Sequence, residues 1–201
     1  MKAIETVYKD YNFRSRGEAR WAVFFDAMNI KWQYETEGYD LGRNYGWYLP
    51  DFYLSQLKCW IEIKPDRDLE ESEYRKIRAF GSYIGPILCF TGLPSLSWNG
   101  TLFCKYVDSS SGGEYENYVG FAYCRECEKV VISISDEDRC RSIGDRILLD
   151  PNYEEFYLCD TYSEHRGRYT VQELEYGISA AKQSRFEHGQ FGPPSKYLWT
   201  K

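Results

Sequence analysis

Residues 50–54 read PDFYL and residues 62–64 read EIK, with seven residues between the two stretches. They predict two adjacent strands. Because successive side chains of a strand alternate between its faces, Glu62 and Lys64 are expected about 6–7 Å apart on one face, with Ile63 in the core. Asp51 can join them from the neighbouring strand. Two converging carboxylates repel each other unless a divalent cation lies between them, so the pattern is typical of a metal-assisted hydrolase.

A helix is predicted before these strands, over residues 15–29. Its apolar residues, among them Trp21 and Phe25, recur at helical spacing and form one buried stripe. Glu18 lies on or beside that stripe, where a carboxylate is costly unless it is paired or coordinated. Glu18 is therefore a candidate site residue, and the alternative is an ordinary ion pair with Arg14 or Arg20.

The segments that follow the first helix complete a mixed pattern of helices and strands. Three strand-like runs that predict an antiparallel meander lie at 31–36, 46–55 and 58–64. Residues 69–83 predict a second helix with an acidic start and a basic later half. The apolar run 86–91 predicts a buried strand parallel to one neighbour, because a helix precedes it. We expect an α/β fold, with an α+β mixed sheet and the element order αβββαβ.

The chain is expected to divide into a core, residues 1–108, and a C-terminal extension, residues 114–201. Residues 95–113 read as loop and edge structure, and they end in the flexible sequence SSSGG. In the extension, a hairpin and a helix that packs on the core are predicted at 118–123 with 130–135, and at 170–188. Thr170 and Glu173 have the spacing of a capping box at the start of this helix, and Gly189 would end it.

The composition is that of a globular protein without a membrane-spanning segment. Hydrophobic residues make up 43% of the 201 residues, and no apolar run approaches the ~20 residues of a spanning helix. The first residues lack the apolar stretch of a secretory signal, so the seven cysteines indicate a reducing, cytoplasmic location. A net charge of −6 argues against non-specific coating of nucleic acid, whereas a nuclease with a local basic surface is compatible with it.

The extension also contains candidate ligands for a structural Zn²⁺. Cys124 and Cys127 have the spacing of a zinc knuckle, because two thiolates at a hairpin tip can hold one tetrahedral ion. Cys140 follows after twelve residues, but no cysteine stands at the position of a fourth ribbon ligand. The fourth ligand would then be Cys159 or His165. The alternative is a set of thiols that binds no metal.

The ordered set of Glu18, Asp51, Glu62 and Lys64 resembles the PD-(D/E)XK nuclease superfamily. The resemblance lies in a helical acid, a Pro-Asp pair on one strand and Glu-x-Lys on the next, followed by a helix and a strand. It covers approximately residues 10–92, under half of the chain. It implies a restriction-endonuclease-like core, phosphodiester cleavage, and membership of a phage or mobile-element branch.

The resemblance also implies a role for each site residue. Asp51 and Glu62 would bind Mg²⁺ or Mn²⁺, with the backbone carbonyl of Ile63 as a third ligand. Lys64 would orient the attacking water and offset the charge that develops on the phosphate. Glu18 would bind a second ion or its water shell.

Basic side chains close to these residues in the sequence are candidate phosphate contacts. Arg14 and Arg16 precede the helical acid, and Arg75, Lys76 and Arg78 lie on the second predicted helix. For each of these residues the alternative is an ordinary solvated surface.

The leading hypothesis is a divalent-metal-dependent deoxyribonuclease. One alternative is a non-catalytic module that binds nucleic acid or protein and retains the nuclease fold, and another is an RNA-directed nuclease. Because the negative net charge predicts weak affinity for DNA alone, we also expect a partner protein that delivers the substrate, or a homodimer.

Overall fold

The structure, a computed structural model, describes residues 3–65, 68–96, 99–103, 117–124, 129–134, 169–170 and 173–191. The chain begins with a hairpin of two strands, β1 (Thr6–Tyr8) and β2 (Tyr11–Phe13), which the sequence did not predict. The helix α1 (Arg16–Ala27) follows at once. Ser15 caps this helix, because its side chain accepts a hydrogen bond from the backbone N–H of Glu18.

The next strands form two separate sheets. β3 (Trp32–Tyr34) belongs to the main sheet, whereas β4 (Tyr39–Asp40) and β5 (Trp47–Tyr48) pair only with each other. β6 (Phe52–Leu54) and β7 (Cys59–Lys64) return to the main sheet, and β3, β6 and β7 form the antiparallel meander.

The prediction of one continuous strand over residues 46–55 was wrong. The segment divides into β5 and β6, and Asp51 lies in the bend just before β6 rather than within a strand. Proline supplies no N–H for a ladder, so Pro50 interrupts the pairing. At the start of the segment, Gly46 has a positive φ of 69°, a conformation that glycine adopts easily, and it makes the turn that leads into β5.

The second helix and the strand after it have the predicted arrangement. α2 (Glu71–Tyr83) leads into β8 (Ile87–Thr91), and β8 lies parallel to β7 with Glu62 opposite Cys89. The parallel pairing is therefore confirmed, and it follows from the helical crossover between the two strands.

Beyond β8 the neighbouring strands of the main sheet all pair antiparallel, beginning with the strand beside β8. These strands are β9 (Gly100–Phe103), β10 (Asn117–Cys124), β11 (Lys129–Ile134) and β12 (Tyr169–Thr170). The main strand order is β11-β10-β9-β8-β7-β6-β3, with β12 beside β10. The described part of the chain is thus a mixed α+β structure, as predicted, and the hairpin of β10 and β11 is confirmed.

The prediction that residues 95–113 form loop and edge structure was wrong for β9. This strand lies inside the sheet, between β8 and β10. Leu102 and Phe103 are buried there, and Gly100 lies so close to Phe90 that a Cβ atom would overlap the aromatic ring. The glycine therefore marks a close approach of backbone to ring, not a flexible connection.

The third helix is shorter than predicted. α3 (Leu174–Gln183) starts after Glu173, whose side chain makes no capping hydrogen bond, and Thr170 belongs to β12. A short 3₁₀-helix, Phe186–His188, follows and ends at Gly189. α3 packs on α1, where Gly177 has no side chain to separate the helices: a Cβ there would lie 2.7 Å from Met28.

The main sheet separates two apolar clusters. Toward α1, Ile61 and Ile63 pack with the aromatic residues of the helix, and Phe90 stacks on Phe121 at 5.2 Å between ring centroids. Toward α2, the cluster contains Ile77, Phe80, Ile87 and Tyr48. In the residues that the structure describes, no helix has both the length and the apolar character needed to cross a membrane.

Candidate active site

Glu62 and Lys64 meet on one face of β7, as their spacing predicts. The Nζ atom of Lys64 lies 2.7 Å from Oε1 of Glu62, and Tyr48 donates a hydrogen bond of 2.8 Å to Oε2 of the same carboxylate. Glu73 of α2 approaches Lys64 from the other side at 3.5 Å. The buried carboxylate of Glu62 is thus held between an ammonium and a phenol.

Asp51 is buried beside them, and two donors hold its carboxylate. The backbone N–H of Ile63 donates a hydrogen bond of 2.7 Å to Oδ2, and the Arg14 guanidinium lies 2.8 Å from Oδ1. The same guanidinium bonds Glu35 at 2.5 Å. Asp51 is therefore bonded directly to the strand that carries Glu62 and Lys64, although it lies in a bend.

Glu18 forms the third buried carboxylate of the group. Ser15 donates a hydrogen bond of 2.6 Å to its Oε1, and Tyr34 donates one of 2.5 Å to its Oε2. The backbone N–H of Arg14 adds a third at 3.2 Å. The alternative of an ordinary ion pair with Arg14 is wrong, because the Arg14 guanidinium goes to Asp51 and Glu35 instead.

The carboxylates influence one another electrostatically. The pKa of Asp51 is raised well above its usual value by burial and by the negative charges of Glu62 and Glu18, against the opposing effect of Arg14. Burial and the Glu62 carboxylate likewise raise the pKa of the Tyr48 phenol. Burial lowers the pKa of Lys64, but Glu62 and its neighbours outweigh that effect and the pKa is raised. Lys64 is therefore a charged ammonium and Tyr48 a neutral donor.

Negative charge is in excess in this cluster. Among the described residues, the cluster contains two cations, Arg14 and Lys64. It contains five carboxylates: those of Glu18, Glu35, Asp51, Glu62 and Glu73. Hard carboxylate oxygens and uncompensated negative charge are what Mg²⁺ and Mn²⁺ prefer.

A divalent cation would need the two cationic side chains of the cluster to move. Among the described residues, no group of three or more His, Cys, Asp or Glu side chains is placed to hold a metal ion. Arg14 and Lys64 bond oxygens of Asp51 and Glu62 that a cation would need. These oxygens would be open to a hard divalent cation once Arg14, whose side chain is 56% exposed, and the Lys64 ammonium both move off them.

Sequence reasoning placed Glu18, Asp51, Glu62 and Lys64 in one group. In the structure Lys64 bonds Glu62, and Asp51 lies within electrostatic reach of both Glu62 and Glu18. The reasoning from sequence did not identify five further residues of the cluster. These are the hydroxyl donors Ser15, Tyr34 and Tyr48 and the carboxylates Glu35 and Glu73. Only Ser15 had a local signal, since a serine three residues before a glutamate has the spacing of a capping box.

The structure describes almost none of the candidate zinc ligands. Cys127, Cys140, Cys159 and His165 lie outside the described residues, and Cys124 ends β10 without a described side chain. The zinc site therefore stays a prediction.

The predicted basic contacts lie on two different helices. On α2, Arg75 bonds Glu71 at 2.6 Å on the exposed surface, Arg78 is also exposed, and Lys76 is half-buried. Arg16, on α1, is paired with Glu187 at 3.5 Å, away from the buried carboxylates.

Comparison of the chain with protein-family models, with curated proteins and with solved structures finds no match. The function must therefore be inferred from the residues of the chain and their arrangement.

Proposed function

We propose that this chain is a divalent-metal-dependent deoxyribonuclease built on a restriction-endonuclease-like core. The observation that carries the proposal is the meeting of Glu18, Asp51, Glu62 and Lys64 in one largely buried cluster. These side chains come from α1, from the bend before β6 and from β7. Burial of several carboxylates opposes folding, so such a cluster is better explained by a bound cation than by stability.

The order of elements supports the same proposal. α1, β3, β6, β7, α2 and β8 follow one another as αβββαβ, with β7 parallel to β8. This is the order that the resemblance to the PD-(D/E)XK superfamily implies. Glu18, Glu62 and Lys64 occupy the matching elements, and Asp51 lies in the bend directly before the matching strand. The hairpin of β4 and β5 is an insertion into this order, and it supplies Tyr48.

Each residue has a chemical task in this proposal. Asp51 and Glu62 would hold the cation, which lowers the pKa of a bound water and polarises the phosphate. The Lys64 ammonium, kept charged by Glu62, would hold the attacking water and offset negative charge on the phosphate. Tyr48 would fix the orientation of the Glu62 carboxylate, and Glu18 would attract a second cation.

A non-catalytic binding module is the second candidate function. One observation favours it: the oxygens of Asp51 and Glu62 are bonded to Arg14, Ile63, Lys64 and Tyr48, which closes the cluster without a cation. In such a module these ion pairs would serve only to hold the sheet and the bend together.

Cleavage assays distinguish the two candidates. Linear, circular, branched and single-stranded DNA, and a matching RNA, are incubated with wild type and with Glu62→Gln in Mg²⁺, Mn²⁺ or EDTA. The proposal predicts DNA cutting that requires the metal and is lost in the variant. If neither protein cuts any substrate while both bind DNA equally well, the binding module replaces the nuclease, and cutting of RNA alone would make the substrate RNA.

A further inference from the structure

Two arginines lie one turn apart on the outer side of α1, away from the carboxylate cluster. Arg16 and Arg20 are separated by four residues, so their side chains project from the same side of the helix. Glu18 lies between them in sequence but is rotated by about 200° around the helix axis, at 3.6 residues per turn. The pair therefore forms a surface of its own, which we call the arginine pair.

One N–H group of each arginine in the pair has no acceptor among the described residues. The Nε atoms of both Arg16 and Arg20 are buried and, within the described part of the chain, have no hydrogen-bond partner. Burial and the positive charge of Arg16 lower the pKa of Arg20. A buried N–H donor without an acceptor costs about 1–3 kcal/mol, so the pair is suited to an acceptor that brings negative charge.

A turn after α3 covers this surface and supplies one weak acceptor. Glu187, half exposed, lies 3.5 Å from Nη2 of Arg16. Arg185 and His188 flank it in the same turn. A hydrogen bond from its own backbone lowers the pKa of Glu187, and the positive charges of Arg16, His188 and Arg185 act in the same direction. The Glu187 carboxylate thus lies within a local excess of basic groups in a chain of net charge −6.

We propose that the arginine pair binds a phosphate of the nucleic-acid backbone, and that Glu187 occupies this place when no nucleic acid is bound. This inference rests on the proposed function, because it makes the pair an additional contact to the same nucleic acid, outside the carboxylate cluster.

The test measures DNA binding without cleavage. Binding of a fluorescent single-stranded oligonucleotide is followed by anisotropy in EDTA, over a range of salt concentrations. The double variant Arg16→Gln with Arg20→Gln is compared with Lys31→Gln with Arg43→Gln, which removes the same charge from exposed basic side chains elsewhere. We expect the first variant to bind about tenfold more weakly, with a salt slope smaller by about 0.7, and the control to change by less than about twofold.

A second variant keeps the test valid if loss of both arginines prevents folding. Glu187→Gln removes the competing carboxylate, so we expect about threefold tighter DNA binding. Equal binding by the arginine double variant and its control overturns the proposal. If the double variant unfolds at a clearly lower temperature than the control, the Glu187→Gln result decides, and unchanged binding in that variant overturns the proposal.

Free phosphate is tested with the same proteins. If inorganic phosphate raises the unfolding temperature of the wild type but not of the double variant, while DNA binding matches the control, the site takes free phosphate and the backbone assignment is overturned. Failure of the nuclease proposal is separate from these outcomes: a chain that binds DNA through Arg16 and Arg20 but cuts nothing keeps the arginine pair and loses the nuclease.

Discussion

The aromatic core under α1 and the carboxylate cluster at its edge are built from the same elements but have opposite energetics. From α1, Phe25 enters the core and Glu18 enters the cluster. From β7, Ile63 enters the core and Glu62 the cluster. Burial of apolar area drives folding, whereas burial of like charges opposes it. Burial of the core therefore stabilises the fold. Burial of the like charges in the cluster lowers stability, which is why we propose a functional role for the cluster.

The largest expected effect lies in the core. Phe25 is completely buried and contacts Trp21, Phe52 and Phe121. We expect Phe25→Ala to lower the free energy of unfolding by about 3–5 kcal/mol, because it removes buried apolar area and leaves a cavity. Urea unfolding followed by circular dichroism measures this. Phe25→Leu, which keeps most of the volume, is the matched control, and an equal loss in both variants would contradict the packing argument.

The cluster should show the reverse pattern, a large loss of activity with little loss of stability. If the proposed function holds, we expect Glu62→Gln to reduce the cleavage rate by about 1,000-fold, equivalent to about 4 kcal/mol of activation free energy, since the proposed metal ligand and the partner of Lys64 are lost together. The free energy of unfolding should change by less than about 1 kcal/mol. Glu71→Gln, on the exposed side of α2, removes the same charge and should leave the rate unchanged. A similar rate in both variants would remove Glu62 from the site.

The effect of burying the Asp51 carboxylate on stability can be measured from the pH dependence of the free energy of unfolding. Burial and the charges of Glu62 and Glu18 raise the folded-state pKa of Asp51 above its ordinary value near 3.8. An acid with a raised folded pKa contributes most to stability below the ordinary pKa, and this contribution is lost as the pH rises through the folded pKa. We expect the wild type to lose stability relative to Asp51→Asn as the pH rises from about 4. Urea unfolding at several pH values tests this, and a constant difference would contradict it.

Replacement of Arg14 should have a smaller effect, on the affinity of the same cluster for Mn²⁺. The Arg14 guanidinium bonds Oδ1 of Asp51, an oxygen that the proposed cation would need. We expect Arg14→Gln to bind Mn²⁺ about 3–10-fold more tightly in calorimetry without DNA, because a competing positive charge is removed. Lys9→Gln, which breaks the distant pair with Asp26, is the control. Weaker Mn²⁺ binding by Arg14→Gln would show that Arg14 supports the cation site instead of competing for it.

The smallest expected effect is at Tyr48. Tyr48→Phe removes the hydrogen bond to Glu62 but keeps the ring in the apolar cluster beside Phe80. We expect a loss of about 1 kcal/mol in unfolding free energy and a fall of less than about tenfold in the cleavage rate. Loss of all cleavage in a folded variant would give the phenol a direct part in the reaction.

Part of this site was predictable because its signals are local. Alternation along a strand places Glu62 and Lys64 on one face whatever the strand packs against. The parallel pairing of β7 and β8 follows from the helix between them, and Ser15 precedes Glu18 at the spacing of a helix cap. The prediction of one strand over residues 46–55 was wrong because it rested on composition, which favours a strand. Pro50 and the pairing of β5 with β4 divide the segment into two strands.

The sequence by itself determined which carboxylates and which lysine could act together, since this depends on short spacings and on strand and helix periodicity. Only the tertiary structure decided their partners: Tyr48 reaches Glu62 from a separate sheet, and Arg14 reaches Asp51 across 37 positions of the chain. Tertiary structure also directed Arg14 toward the carboxylates and Arg16 toward Glu187. Such choices depend on long-range packing, which brings together residues that no local pattern connects.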